Sequence, residues 1–169
     1  TDFGDIAVGT RGALQGGFAS PTRGVFAGGY NQNIIQYLTI ASAGNTTDFG
    51  DLTVKRWEVK GCSTSTRGLF MGGFDDSTRH NIIDYVTIAS TGNATDFGNL
   101  SAAKREGASA SNSTRGIYFG GETSSTQGDG LNVIEYVTIA STGDVTDFGD
   151  LLAAGEEATA CSSTHGGLS

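Results

Sequence analysis

Residues 81–100 read NIIDYVTIASTGNATDFGNL. In an extended chain Ile83, Tyr85 and Thr87 point to one face, and Ile82, Asp84, Val86 and Ile88 to the other. Both faces are largely apolar, which predicts a strand over 82–89 that is buried on both sides. Thr91-Gly92-Asn93 then turns the chain. A shorter strand begins at Asp96 and runs to Leu100, with Phe97 as its large apolar anchor.

Asp96-Phe97-Gly98 also spells the tripeptide whose Asp holds magnesium in protein kinases. That reading fails on context. Thr-Asp-Phe-Gly occurs at Thr1, Thr47, Thr95 and Thr146, in steps of 46, 48 and 51 residues. A unique metal-binding Asp does not recur in this way. The His-Arg-Asp catalytic loop and the lysine motif of a kinase are also missing from the sequence. The motif is expected to be structural, with Phe packing between repeats and Asp and Gly shaping the two ends of the strand.

Two further marks repeat in phase. Thr-Arg-Gly followed by a Gly pair occurs at Thr22-Arg23-Gly24 with Gly28-Gly29, at Thr66-Arg67-Gly68 with Gly72-Gly73, and at Thr114-Arg115-Gly116 with Gly120-Gly121. A fourth version begins at Thr164-His165-Gly166. The block Asn-(Ile/Val)-Ile-x-Tyr-(Leu/Val)-Thr-Ile-Ala-Ser starts at Asn33, Asn81 and Asn132. A period near 48 with several short strands is the signature of propeller blades. The expected fold is therefore all-β: one β-propeller domain or segment over 1–169, with three complete four-stranded blades and partial blade strands at both ends. Within a blade the expected order is a small, Ser/Thr-rich inner strand (61–65), the Thr-Arg-Gly turn, a strand into the Gly pair (69–73), a variable loop, the Asn-Ile-Ile strand, and the Asp-Phe-Gly strand. Residues 1–6 read as a fourth strand and 165–169 as the start of a second. Residues 100–108 and 151–160 look helical in isolation, but the repeat alignment overrides that. The C-terminal strands are expected either to pair with the N-terminal one and close a ring, within or between chains, or to be part of a longer array. A start in mid-motif, without Met, suggests a processed, excised or partly represented protein.

Composition agrees. Gly is abundant at 27 residues against one Pro and one Met, as suits short strands joined by tight turns. The net charge of −8 and the absence of a basic patch argue against nucleic acid. No apolar run reaches the ~20 residues of a membrane-spanning helix, so membrane insertion is not expected. Cys62 and Cys161 are expected to be small buried residues at repeat positions, since two Cys without His partners make no zinc pattern.

The marks together resemble the kelch repeat. That family carries a Gly pair ending its second strand, a Tyr in its third and a large aromatic in its fourth, often with an Arg after it. Here the tyrosines are Tyr37, Tyr85 and Tyr136, and Phe3, Phe49, Phe97 and Phe148 stand where the family usually has Trp. Arg11, Arg56 and Arg105 fall close to the Arg position, with Glu156 in the fourth copy. The wording TRGLFMGGF…NIIDYVTIASTGNATDFGNL is also similar to repeats in virion proteins of tailed phages, marine and cyanobacterial ones especially. That resemblance implies a structural or host-recognition protein on the virion surface, such as a tail-fibre component. Its partners would be other virion subunits or copies of itself, and a host surface glycan.

Chemistry beyond binding has little support. Asp144, Asp147 and Asp150 lack the glycine and terminal Glu of an EF-hand, and their counterparts alternate between Asn and Asp as turn positions do. There is no Gly-x-Ser-x-Gly elbow, only two His, and no signature for a catalytic triad. No cofactor, metal or catalytic residue is expected. The loops between the Gly pair and the Asn block differ most: 30–32, 74–80 and 122–131, which are three, seven and ten residues. Variable loops on a rigid scaffold are where binding concentrates. The candidate ligand-binding residues there are Tyr30, Phe74, Asp75, Asp76, Arg79, His80 and Glu122. Trp57, the only Trp, is expected in a connector emerging on the same face. An aromatic beside Asp, Asn and Arg suits a sugar, stacking on its ring and bonding its hydroxyls. The expectation is a non-enzymatic module that binds a glycan or a partner protein. The alternatives are a propeller-based glycoside hydrolase or lyase, whose carboxylate pair any acidic protein could supply, and a purely structural virion decoration.

Overall fold

A computed structural model describes residues 2–6, 16–124 and 130–161. Arg11, the fourth turn Thr164-His165-Gly166 and residues 125–129 of the longest loop lie outside them. The described residues form twelve strands and no helix. They make three four-stranded antiparallel sheets, one per repeat, each in sequential order. The first holds β1 (Gly16–Ala19), β2 (Arg23–Ala27), β3 (Ile34–Thr39) and β4 (Thr47–Asp51). The second holds β5 (Lys60–Ser63), β6 (Arg67–Met71), β7 (Ile82–Thr87) and β8 (Thr95–Asn99). The third holds β9 (Ala108–Ser111), β10 (Arg115–Phe119), β11 (Leu131–Thr138) and β12 (Thr146–Gly155). Strand β12 thus extends into the stretch with helical appearance.

Register repeats as faithfully as sequence. Tyr37, Tyr85 and Tyr136 pair with Thr47, Thr95 and Thr146, while Ile35, Ile83 and Ile134 pair with Gly50, Gly98 and Gly149. A bulge between these two pairs recurs in all three sheets. In the second sheet Asp84 faces Asp96 and Ile83 faces Gly98, so Phe97 is the extra residue. A bulge re-aims its side chain, and here it turns the Phe ring edge-on to the Tyr of the neighbouring strand. The centroids are 5.9 Å apart for Tyr37–Phe49 and 6.0 Å for Tyr85–Phe97.

The first strands of successive sheets lie side by side, and small residues make that approach possible. A β-carbon on Gly61 would come within 2.7 Å of the Gly17 backbone. Ser63 Oγ donates to the Ala19 carbonyl at 3.1 Å, Ser109 Oγ to Gly61 at 2.9 Å and Ser111 Oγ to Ser63 at 2.8 Å.

Two apolar cores fill the spaces between sheets. Val25, Ala27, Ile35 and Phe49 of the first sheet meet Phe70, Val86 and Ile88 of the second. Leu69, Met71, Ile83 and Phe97 of the second meet Tyr118, Val137 and Ile139 of the third. Strand β7 therefore gives one face to each core, as its alternation predicts, although Tyr85 itself is only half-buried. Cys62 lies in the second core, where burial pushes its thiol up to about 12. Cys161 departs from expectation: it is exposed, because it lies beside the third sheet's uncovered face, near Phe148.

Polar ties cross the same interfaces. Arg23, Arg67 and Arg115 each stack on the Tyr of their own sheet, at 4.6, 4.5 and 4.4 Å. The Arg23 guanidinium then donates to the Ile88 carbonyl of the next sheet at 2.8 Å, and that of Arg67 to Ile139 at 2.9 Å. The Asp-Phe-Gly strand makes a second tie. Gly92 and Ala94 N–H groups donate to the carbonyls of Phe49 and Asp51, and Asn93 Oδ1 accepts the Asp51 N–H. Gly143, Val145 and Asp144 do the same for Phe97 and Asn99. The alternating Asn and Asp at these turns thus serve as backbone acceptors.

A third tie is ionic and dry. Arg56, in the connector before the second sheet, pairs with Asp84 of β7 at 3.0 Å, both fully buried. Lys104, in the connector before the third sheet, pairs with Glu135 of β11 at 2.6 Å. Backbone bonding shows the equivalence: Arg56 N–H donates to Gln32 and Lys104 N–H to His80, each the residue before an Asn block. Arg56 therefore corresponds to Lys104, and Arg105 corresponds to Trp57, which corrects the Arg alignment made from sequence.

Candidate functional site

The Trp57 connector and the variable loops meet at one end of the sheets. Trp57 and Phe74 exchange backbone hydrogen bonds at 2.8 and 2.9 Å, and Arg105 and Glu122 do so one repeat later at 3.2 and 2.9 Å. Each connector is thereby stitched to the loop that follows its Gly pair. Its side chain is held over that loop.

The two stitched units lie against each other. Tyr30 from the first repeat sits 5.8 Å from Trp57, and Trp57 sits 5.6 Å from Phe74. Arg105 lies over Phe74 at 4.9 Å and over Trp57 at 6.0 Å, and Arg79 lies over Phe74 at 5.6 Å. Glu122 Oε1 accepts from Arg79 Nη2 at 2.8 Å and from Arg105 Nε at 2.7 Å. Arg105 also pairs with Glu58 at 3.2 Å and Glu106 at 3.4 Å. The result is a row of three aromatic rings, continued by an Arg–Glu lattice, that crosses all three repeats.

Electrostatics follow from this packing. Burial alone would raise the Glu122 carboxyl, but hydrogen bonds from Arg79 and Arg105 outweigh it and hold it below its ordinary value. Glu58 goes the other way: burial raises it, and Arg105 compensates only in part. Burial opposes the charge on Arg105, yet Glu122, Glu58 and Glu106 hold its pKa above the usual one. Glu106, Glu122 and Glu156 each bring a carboxylate oxygen within 4.8 Å of the others, and the Glu122 oxygen is already engaged by two guanidinium groups.

Five of the residues expected from sequence are brought together: Tyr30, Trp57, Phe74, Arg79 and Glu122. The other three form a local unit. Asp75 accepts from the N–H groups of Thr78 and Ser77, and these bonds hold its carboxyl well below the usual range. His80 Nε2 lies 3.1 Å from the other Asp75 oxygen. Asp76 is exposed at the tip of that loop, with φ of 80°. Sequence reading of the site missed Arg105, Glu58 and Glu106. The signal was present, since a strict overlay of the connectors puts Arg105 in the place of Trp57.

Tyr30 is 45% exposed, so the row opens to solvent at its first ring. The Trp57 indole N–H finds no acceptor among the described residues. That nitrogen is itself buried, so what faces solvent is a ring with fixed charges beyond it, which can stack on and orient a polar ring or an extended peptide. No protein-family model matches the chain, and no curated protein matches it.

Proposed function

We propose that this chain is a kelch-like propeller segment acting as a non-enzymatic recognition module on a virion surface, and that the Tyr30–Trp57–Phe74 row receives a glycan or a partner protein. The propeller reading is supported by side-by-side inner strands, by sequential four-stranded sheets and by the interface repeated between them. The virion reading is supported by the resemblance of the repeat wording to tailed-phage proteins.

The observation that carries the binding role is the aromatic row itself, which draws one ring from the first repeat and two from the second and ends at an exposed Tyr. Of the lattice carboxylates, Glu122 is tied to Arg79 and Arg105, which hold it below its ordinary value, and Glu58, raised by burial, is paired with Arg105.

A glycan array probed with the intact chain tests this reading. Binding to a defined sugar set that Tyr30→Ala abolishes, with the fold unchanged by circular dichroism, is the expected result. Binding that survives Tyr30→Ala, or cleavage of the captured glycan, overturns it. A chain that ignores every glycan but captures a virion subunit through the same Tyr30-dependent face supports the partner-protein arm.

A further inference from the structure

The row that opens at Tyr30 is flanked by charges of both signs, and their pairing decides what the face can still bind. Each of the three Arg105 nitrogens faces a different carboxylate: Nε faces Glu122 at 2.7 Å, Nη1 faces Glu58 at 3.2 Å and Nη2 faces Glu106 at 3.4 Å. Arg79 Nη2 donates to the same Glu122 oxygen at 2.8 Å, and its Nε is buried with no acceptor among the described residues. His80, from the same loop as Arg79, faces Asp75 at 3.1 Å. Neither guanidinium is left unpaired for an incoming anion.

Acceptors are in the opposite position. Glu122 uses Oε1 for both guanidinium groups, Glu58 uses Oε2 and Glu106 uses Oε1. Each carboxylate therefore keeps a second oxygen with lone pairs to offer. Glu106 is the most open of the three, with 19% of its side chain exposed. Despite the burial of Glu122, hydrogen bonds from Arg79 and Arg105 hold it below its ordinary value, so it is charged at neutral pH. Asn31 and Gln32, directly after Tyr30, add amides that both donate and accept.

A carboxylate or sulfate on a ligand only accepts, and it would meet these oxygens as a like charge. A cation fares no better over the inner rings, because Arg105 already lies over Trp57 and Phe74, and Arg79 over Phe74. A sugar hydroxyl donates and accepts, carries no charge and leaves the lattice intact. On the reading of the row as a glycan site, we infer that its ligand is an uncharged, hydroxyl-bearing sugar chain, stacked on Tyr30 and donating hydroxyls to the carboxylates around Arg105, and that acidic sugars are turned away. Arg105 is a positioning residue: it gathers Glu58, Glu106 and Glu122 beside the row and is not itself an anion receptor.

The test is a glycan array that carries each oligosaccharide in an uncharged form and in sialylated and sulfated forms, with an oligo-arginine peptide alongside, probed with the intact chain. Expected is binding of uncharged forms that Tyr30→Ala abolishes. The acidic forms of the same chains should bind about tenfold more weakly at low salt, since like charges face each other. Raising the salt should narrow that gap, because charges near the surface are screened. Glu106→Gln removes one carboxylate and frees Arg105 Nη2, so it should also narrow the gap. Asp48→Asn, which removes an exposed carboxylate on β4 outside the row, should leave the gap unchanged. Tyr30-dependent preference for the acidic forms, for instance one served by exposed Lys55, overturns the inference and leaves the row standing as a glycan site. A gap that Glu106→Gln does not move does the same. Tyr30-dependent preference for the arginine peptide overturns the inference and leaves only the partner-protein arm. Absence of Tyr30-dependent binding to any sugar overturns both the inference and the glycan reading beneath it.

Discussion

The α-carbon of Gly98 lies so close to the carbonyl oxygen of Gly143 that a β-carbon there would overlap it. The same holds for Gly50 against Gly92 and for Gly4 against Gly44. Gly149 has the same backbone conformation, with φ of 136°, and nothing within 4 Å. The glycine of the Asp-Phe-Gly motif is thus required twice over inside the array, by conformation and by the next sheet's turn, but only by conformation at its open end. Gly98→Ala is expected to cost at least about 3 kcal/mol, and Gly149→Ala about 1–2 kcal/mol. Urea denaturation of the two variants measures the difference. Equal losses would mean that the turn contact contributes nothing.

The aromatic of the motif makes a parallel contrast. Phe97 fills the second core, whereas Phe148 lies on the open face. Phe97→Ala should therefore cost about 3–5 kcal/mol, the usual loss for a buried Phe, and Phe148→Ala under about 1 kcal/mol. Chemical denaturation reads both. A large loss for Phe148→Ala would show that its face is covered in solution.

The buried ion pairs behave differently from the apolar positions around them. Asp84 accepts from Arg56 and also from the Thr53 N–H and hydroxyl, at 3.1 and 2.7 Å, so its charge is fully engaged without water. Arg56→Met strands that carboxylate and is expected to cost about 3–5 kcal/mol. The double variant Arg56→Met with Asp84→Leu removes both charges and should recover much of the loss. A double-mutant cycle that gives simple additivity would show that the two residues do not depend on each other.

Much of this architecture was legible because it repeats. Three copies of one Asn block give the two-faced strand, and four copies of Asp-Phe-Gly rule out a unique metal site. The Ser/Thr-rich inner strands were readable because only small side chains tolerate the Gly61–Gly17 approach. The buried pairs were not. Asp84 looked like one polar residue on an apolar face, and its partner lies 28 residues earlier in the chain, in a connector with no strand pattern. Comparing copies offers a clue after the fact: Asp84 and Glu135 follow connectors that supply Arg56 and Lys104, while the corresponding Gln36 is neutral and bonds Thr46. The candidate site was half legible. Loop lengths pointed to the end of the sheets where the aromatic row lies, but the stacking of Arg105 on Phe74 depends on two backbone bridges that no local spacing encodes.

The Arg–Glu lattice should respond to acid in two steps, reported by the single Trp. Glu58 is raised above its ordinary value of 4.5 by burial, so the folded state takes up this proton above that pH. Protonation of Glu58 relieves a buried charge, and its contribution to stability grows as pH falls through the raised value. Glu122 is held below 4.5 by Arg79 and Arg105. The stability it supplies is complete above 4.5 and is lost as pH falls through the lowered folded value. Arg105, which lies over the Trp57 ring, loses its bond to the Glu122 carboxylate at that second step. Trp57 fluorescence should therefore change once above and once below pH 4.5. Glu58→Gln should remove the upper step, and Glu122→Gln the lower one. A single transition that neither variant moves would show that Trp57 is insensitive to this lattice.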